Sequence, residues 1–141
     1  MIRVVIDTNV IVSATLRSGG LPEAGLGVAV AGDVLFFVSE PVLAEYEEVL
    51  RRPRFAIERD KLSNAIARIR SASLLVHPET RVTAALDPDD NIFLECAQAA
   101  DADYLITGNI KHFPATWRKT QIVTPRQFLE AAGFQEKIFV S

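Results

Sequence analysis

Apolar residues along this chain fall into two kinds of pattern. Short continuous runs alternate with longer stretches in which apolar positions recur every three or four residues. The first pattern suits a strand buried on both faces, the second an amphipathic helix. Ile2–Ile6, rich in β-branched residues, predicts the first strand, and "NVIVSATLR" predicts a helix closed by Gly19 and Gly20. Pro22 opens a further helix, "PEAGLGVAVAG", weakened by Gly25 and Gly27. Val34–Val38 ("VLFFV") predicts a second strand, after which Ser39 caps a helix through "EPVLAEYEEVLRR" that Pro53 stops. Another helix is expected from Glu58 to Ser73, then a short strand at Leu74–Val76. "DPDDNIFLECAQAA" reads as a helix with Asp87 at the N-cap and Pro88 at the first helical position. Tyr104–Thr107 and Gln121–Val123 predict the last strands, with Thr124 capping and Pro125 opening a final helix, "RQFLEAAG".

Strands that alternate with helices in this way imply an α/β fold, a mainly parallel sheet of about five strands with helices on both faces. There is no internal repeat, low-complexity segment or linker, so residues 1–141 are expected to form a single domain. With 49% hydrophobic and 23% charged residues the chain is globular. Fifteen Lys and Arg against eighteen Asp and Glu leave a net charge of −3. That balance argues against gripping nucleic acid through overall charge, while leaving room for local basic patches or a metal-bridged phosphate. The single cysteine, Cys96 in "IFLECAQAA", excludes an internal disulfide, fits a reducing compartment and reads as a packed thiol. The apolar start is short and interrupted by Asp7 and Asn9, unlike a signal peptide, and no run approaches the ~18 residues a membrane span needs. A soluble, cytoplasmic protein with no membrane partner is expected.

In parallel α/β sheets the binding site lies beyond the carboxyl ends of the strands, and this gives the acidic residues meaning. Asp7 directly follows the first strand, and the second strand leads into the helix carrying Glu45. Asp89 and Asp90 fall in the first turn of the helix beginning at Asp87, and "TGN" follows the strand at Tyr104. Each has a simpler reading taken singly, since Asp7 or Thr8 can cap a helix and acids in a first turn complement its dipole. On the helix after Ser39, Val42, Tyr46 and Val49 mark the inward stripe, with Leu43 and Leu50 widening it. Glu45 lies just outside one edge of that stripe, Glu47 just outside the other, and Glu48 points to solvent. Periodicity leaves Glu45 and Glu47 both open.

"VVIDTNVIVSA", "SEPVLAEYEEVLRRPRF" and "DPDDNIFLECAQAADADYLITGNIKHFP", taken in order, resemble a PIN domain, and more narrowly the toxin components of bacterial and archaeal toxin–antitoxin pairs. The resemblance covers nearly the whole chain. It implies a three-layer α/β/α sandwich and a Mg²⁺- or Mn²⁺-dependent ribonuclease whose acids are Asp7, Glu45 and Asp90, which selects Glu45 over Glu47. Asp89 is then an extra neighbour and Asp87 a cap. The family often carries a fourth acid after its "TG" turn, where this chain has Asn109.

On that reading Asp7 and Asp90 bind metal directly, and Glu45 binds metal or positions the attacking water. Asn109 ligates through a neutral oxygen or orients a water. Thr8, Asn9 and Thr107 are hydrogen bonders that hold the carboxylates. Hard divalent cations take oxygen ligands, and phosphodiester hydrolysis needs the charge they bring. His112 in "NIKHFP" lies near the site and reads either as a phosphate contact or as a surface loop residue. Arg51, Arg52 and Arg54 in "RRPRF" read equally as a charged helix end or as a track for RNA phosphates. The partners implied are RNA, a cognate antitoxin, and a second copy in a homodimer or higher oligomer. "PEAGLGVAVAG" and "EPVLAEYEEVL" carry the apolar surface expected of such an interface. A haloacid dehalogenase-like enzyme would need a second Asp where Asn9 stands, and a receiver domain would need an acidic pair after its first strand. A rival of another class is a PIN-fold interaction module with little or no nuclease activity that binds RNA or protein.

Overall fold

The strand at the middle of the molecule is β1 (Ile2–Ile6), and its composition explains its place. Val4, Val5 and Ile6 are consecutive and fully buried. Successive side chains of a strand point to opposite faces, so both faces of β1 are covered. Arg3 lies near the strand's start, where its Nε–H donates to the Ala100 carbonyl at 2.7 Å and its guanidinium sits 4.4 Å from the centre of the Phe37 ring.

The computed structural model describes residues 1–18 and 34–132. After β1 come α1 (Thr8–Ser18), β2 (Val34–Val38), α2 (Glu40–Leu50), α3 (Arg59–Ala72) and β3 (Ser73–Leu75). They are followed by α4 (Asn91–Ala99), β4 (Tyr104–Ile106), β5 (Thr116–Trp117), β6 (Thr120–Val123) and α5 (Pro125–Ala132). The strands form one sheet in the order β3-β2-β1-β4-β6-β5. Every neighbouring pair is parallel except β5 with β6, and Val4 of β1 is in register with Phe36 on one side and Tyr104 on the other. Helices on both faces complete a three-layer α/β/α sandwich.

Local chemistry accounts for the helices. Ser39 caps α2, its Oγ accepting the Val42 N–H at 3.3 Å, and the helix buries Val42, Leu43, Tyr46, Val49 and Leu50. α4 buries Phe93, Leu94, Cys96 and Ala97. Burial pushes the Cys96 thiol up to about 12, the behaviour of a packed side chain. Thr124 and Gln127 cap α5 reciprocally, the Gln127 N–H donating to Thr124 Oγ1 at 3.1 Å and the Thr124 N–H to Gln127 Oε1 at 2.9 Å.

Four expectations change in detail. The sheet has six strands, because Thr116–Trp117 folds back on β6 through a two-residue turn at Arg118 and Lys119. Trp117 is thus part of the edge strand, its Nε1–H donating to Gln98 Oε1 at 3.0 Å. β3 begins at Ser73, a residue earlier than the apolar run, and as the outermost strand it leaves Leu74 and Leu75 half exposed. "DPDD" does not open an α-helix: Asp87 Oδ1 accepts the Asp89 N–H at 3.0 Å and the Asp87 carbonyl accepts the Asp90 N–H at 3.0 Å. Those bonds wind Pro88–Asp90 into a tight 3-10 turn ahead of α4. The apolar side of α2, expected to face a partner, is the core of this chain. The segment "PEAGLGVAVAG", Gly19, Gly20 and Gly133 lie outside the described residues. Among the described residues no helix is long and apolar enough to cross a membrane.

Candidate active site

The sheet order places a topological switch between β1 and β4, since successive strands leave β1 first toward β2 and β3 and later toward β4 and β6. Crevices at such points, beyond the carboxyl ends of the strands, are where α/β sheets bind ligands. Asp7 follows β1 and Thr107 follows β4, so the two meet across this crevice.

Asp7 is almost fully buried, and both its oxygens are bonded. Oδ1 accepts the Thr8 N–H at 2.7 Å, and Oδ2 accepts the Thr107 hydroxyl at 2.7 Å. Thr107 Oγ1 in turn accepts the Asn109 N–H at 3.0 Å, while the Gly108 N–H donates to Asn9 Oδ1 at 3.1 Å. The loop after β4 is thereby stitched to the start of α1. Asp7 also precedes α1, and its carbonyl accepts the first helical bonds from Val10 and Ile11 at 3.1 and 3.4 Å, while its carboxylate serves Thr8 and Thr107 instead of the N–H groups a capping side chain takes. Burial raises the Asp7 carboxyl above the ordinary 3.8, with the bonds from Thr107 and Thr8 and the charge of His112 pulling it back.

Thr8 links the second carboxylate to the first. Its backbone N–H serves Asp7, and its hydroxyl donates to Glu45 Oε2 at 3.1 Å. Burial also raises Glu45; Thr8 lowers it, and Glu48 and Asp7 add to the rise. Glu47 lies on the other edge of the α2 stripe and pairs with Arg51 at 2.6 Å, while Glu48 pairs with Arg52 at 2.9 Å.

The third carboxylate, Asp90, stands between the 3-10 turn and α4 and makes no capping bond. Next to it the buried Asn91 holds the incoming chain, its Oδ1 accepting the Ala85 N–H at 2.9 Å. The Asp90 carboxyl is raised from 3.8 to about 6, first by burial and then by the charges of Asp7 and Asp87, with His112 opposing and Glu45 adding. Asp90 therefore feels both Asp7 and Glu45 as like charges, and Glu45 feels Asp7. His112, half exposed, brings Nδ1 to 3.8 Å from Asp90 Oδ2.

The remaining residues singled out in the sequence make no direct bond to the three carboxylates. Asp89 is exposed, and its N–H serves the Asp87 cap. Asn109 lies on the exposed rim without a side-chain capping bond. Arg51 and Arg52 are engaged with Glu47 and Glu48, and Arg54 sits 4.7 Å over the Phe55 ring. Two residues escaped the sequence reading. Asn91 follows a double Asp and looked like ordinary helix. Tyr46, read as an apolar stripe residue, donates its hydroxyl to the Ile6 carbonyl. The available signal was chemical: a buried phenol needs an acceptor.

Among the described residues no three His, Cys, Asp or Glu side chains are close enough together to grip an ion at once. The donor chemistry nevertheless fits a hard divalent cation. Three carboxylates raised above all by burial present oxygen donors, opposed only in part by the charges of His112 and Arg52, and Mg²⁺ in particular keeps several waters between itself and its protein ligands.

Residues 3–111 match the model of the family described as PIN domain, a span that includes Asp7, Glu45, Asp90 and Asn109. The chain is also similar to the uncharacterized protein MJ1680 of Methanocaldococcus jannaschii. The two are 26% identical over 141 residues, covering 92% of this chain and 90% of that one.

Proposed function

The chain belongs to the PIN-domain family, whose fold is of the nuclease type, and on that premise we propose that it is a ribonuclease hydrolysing RNA phosphodiester bonds with Mg²⁺ or Mn²⁺. The observation that carries this reading is the gathering of three carboxylates at the switch point: Thr8 bonds both Asp7 and Glu45, and Asp90 stands close enough for the charges of both to raise it. Half-buried like charges persist only if a proton or a cation offsets them. A divalent cation bound there neutralises charge on the reacting phosphate and makes the attacking water more acidic.

This chain's own residues do the rest. Asp7 and Asp90 would hold the ion; Asp7 cannot swing away, because Thr8 and Thr107 fix both its oxygens. Glu45, oriented by the Thr8 hydroxyl, holds the ion or positions the attacking water. Asn109 offers a neutral oxygen from the rim, and the half-exposed His112 meets a substrate phosphate. Arg51 and Arg52 serve the RNA backbone by exchanging their exposed Glu partners for phosphates. Surface pairs of that kind are worth only about 0–1 kcal/mol.

We extend the proposal to the toxin of a type II toxin–antitoxin pair, acting in the cytoplasm as a homodimer or higher oligomer. A neighbouring reading frame encoding a small DNA-binding protein with an apolar tail is the observation that tests it. For the nuclease itself, cleavage of single-stranded RNA should vanish with a chelator and return with Mn²⁺ or Mg²⁺. Cleavage undiminished after exhaustive chelation overturns the metal reading. Mn²⁺ binding without cleavage favours the interaction module, for which Asn109 in place of an acid is the supporting feature.

A further inference from the structure

Each carboxylate of the crevice rides on a different element: Asp7 on the end of β1, Glu45 on α2, and Asp90 at the head of α4. The strand ladder fixes β1 against β4, but it does not fix how far α2 or α4 is turned or slid against the sheet. A one-residue slip of a helix moves a side chain by about 1.5 Å and swings it by about 100°. That is enough to take a carboxylate out of the group.

One side chain touches all three elements. Tyr46 follows Glu45 on α2 and is fully buried. Its hydroxyl donates to the carbonyl of Ile6, the residue immediately before Asp7. The paired stretch of β1 with β2 ends at Val4 and Phe36, so the Ile6 carbonyl stands beyond that ladder and takes the phenol as its donor. The Tyr46 ring stacks on Phe93, three positions after Asp90 on α4, with centres 6.5 Å apart and planes at 30°. Both contacts lie in the core, among residues closed to solvent.

We infer that Tyr46 is a positioning residue that sets the register of Glu45, Asp7 and Asp90 relative to one another. The consequence for metal and turnover rests on the ribonuclease reading above, whereas the consequence for carboxylate placement does not. Tyr46 meets neither substrate nor ion; it acts through the three acids. Its hydroxyl holds α2 to the end of β1, and its ring holds α4 to α2.

Tyr46→Phe keeps the ring and its stacking and deletes only the donor. Phe128→Leu is the control. It trims an equally buried ring that packs edge-on at 5.6 Å against Tyr104, the first residue of β4, whereas the crevice lies beyond that strand's last residue. At a temperature where both variants are folded, Tyr46→Phe should lose roughly tenfold or more in kcat and in Mn²⁺ affinity, with KM for RNA unchanged. Phe128→Leu should lower the melting temperature and leave all three values alone. If Tyr46→Phe retains wild-type kcat and Mn²⁺ affinity, or if Phe128→Leu loses as much of both, the inference is overturned. The carboxylate ¹³C resonances of the metal-free protein give an answer independent of activity. Those of Asp7, Glu45 and Asp90 should all move in Tyr46→Phe and stay in place in Phe128→Leu; three unmoved resonances in Tyr46→Phe overturn it. If the wild type neither binds Mn²⁺ nor cleaves RNA, the ribonuclease reading fails and the resonances alone decide the role of Tyr46.

Discussion

At the scale of single residues, Asp90 makes the sharpest prediction. Its carboxyl titrates near 6 in the folded protein, above the ordinary 3.8, so between those values the native state holds a proton that the unfolded chain releases. The stability contributed by that proton is complete below the unfolded value and is lost as pH rises through about 6. Asp7 and Glu45 are shifted in the same direction and act in the same sense. Metal-free protein should therefore melt higher in mildly acidic buffer than at neutral pH, and Mn²⁺ should restore the difference. Asp90→Asn should melt as high as the metal-free wild type at neutral pH, or higher, while turnover disappears. A large loss of apo stability in that variant would instead mean that Asp90 supports the head of α4. Asn109 makes the second prediction. A carboxamide brings one neutral oxygen where a carboxylate brings charge, so Asn109→Asp should tighten Mn²⁺ binding in calorimetry. Asn109→Ala should cost less affinity than Asp7→Ala.

At the scale of elements, how much the sequence disclosed depended on whether the signal was local. Ser39 and Thr124 cap helices through bonds to residues three positions away, and Pro125 opens α5 with its fixed backbone, so those boundaries were legible. Glu45 and Glu47 flank the same apolar stripe, and what separates them is tertiary: Thr8 lies on one side, while Arg51 on the next turn claims the other. Periodicity is blind to that difference, and only the family resemblance chose Glu45 over Glu47. Tyr46 was hidden for a related reason, since its acceptor lies 40 positions away in the chain. The β5–β6 hairpin was invisible because β5 has only two residues and its turn lacks the Gly or Asn that such turns usually carry. Arg118 adopts φ of 55° there, a left-handed conformation that costs a non-glycine residue about 1–2 kcal/mol. Arg118→Gly gives back part of that through backbone entropy and forfeits the cation 5.6 Å over Trp117. Urea unfolding of this variant should show stability equal to the wild type or up to about 1 kcal/mol higher. RNA cleavage should not change.

At the scale of the whole molecule, the crevice and the core are one structure. The strand that runs into Asp7 lies inside the sheet with Val4, Val5 and Ile6 fully buried, and the helix that follows Asp90 packs its inner side onto the sheet. Cys96 lies on that inner side, fully buried, with its thiol pushed up to about 12. Only the thiolate attacks thiol reagents, so in the closed protein this sulfur is almost inert and is modified only when α4 lifts away. Being the chain's single cysteine, it is a built-in clock for opening events. Under conditions where reagent outpaces reclosing, the labelling rate reads the opening rate itself. Saturating Mn²⁺ should slow that clock, and Asp90→Asn should abolish the slowing without changing the metal-free rate by much. The same sulfur that contributes nothing to the proposed chemistry would thus time, in the unmodified protein, how firmly a cation in the crevice keeps the core shut.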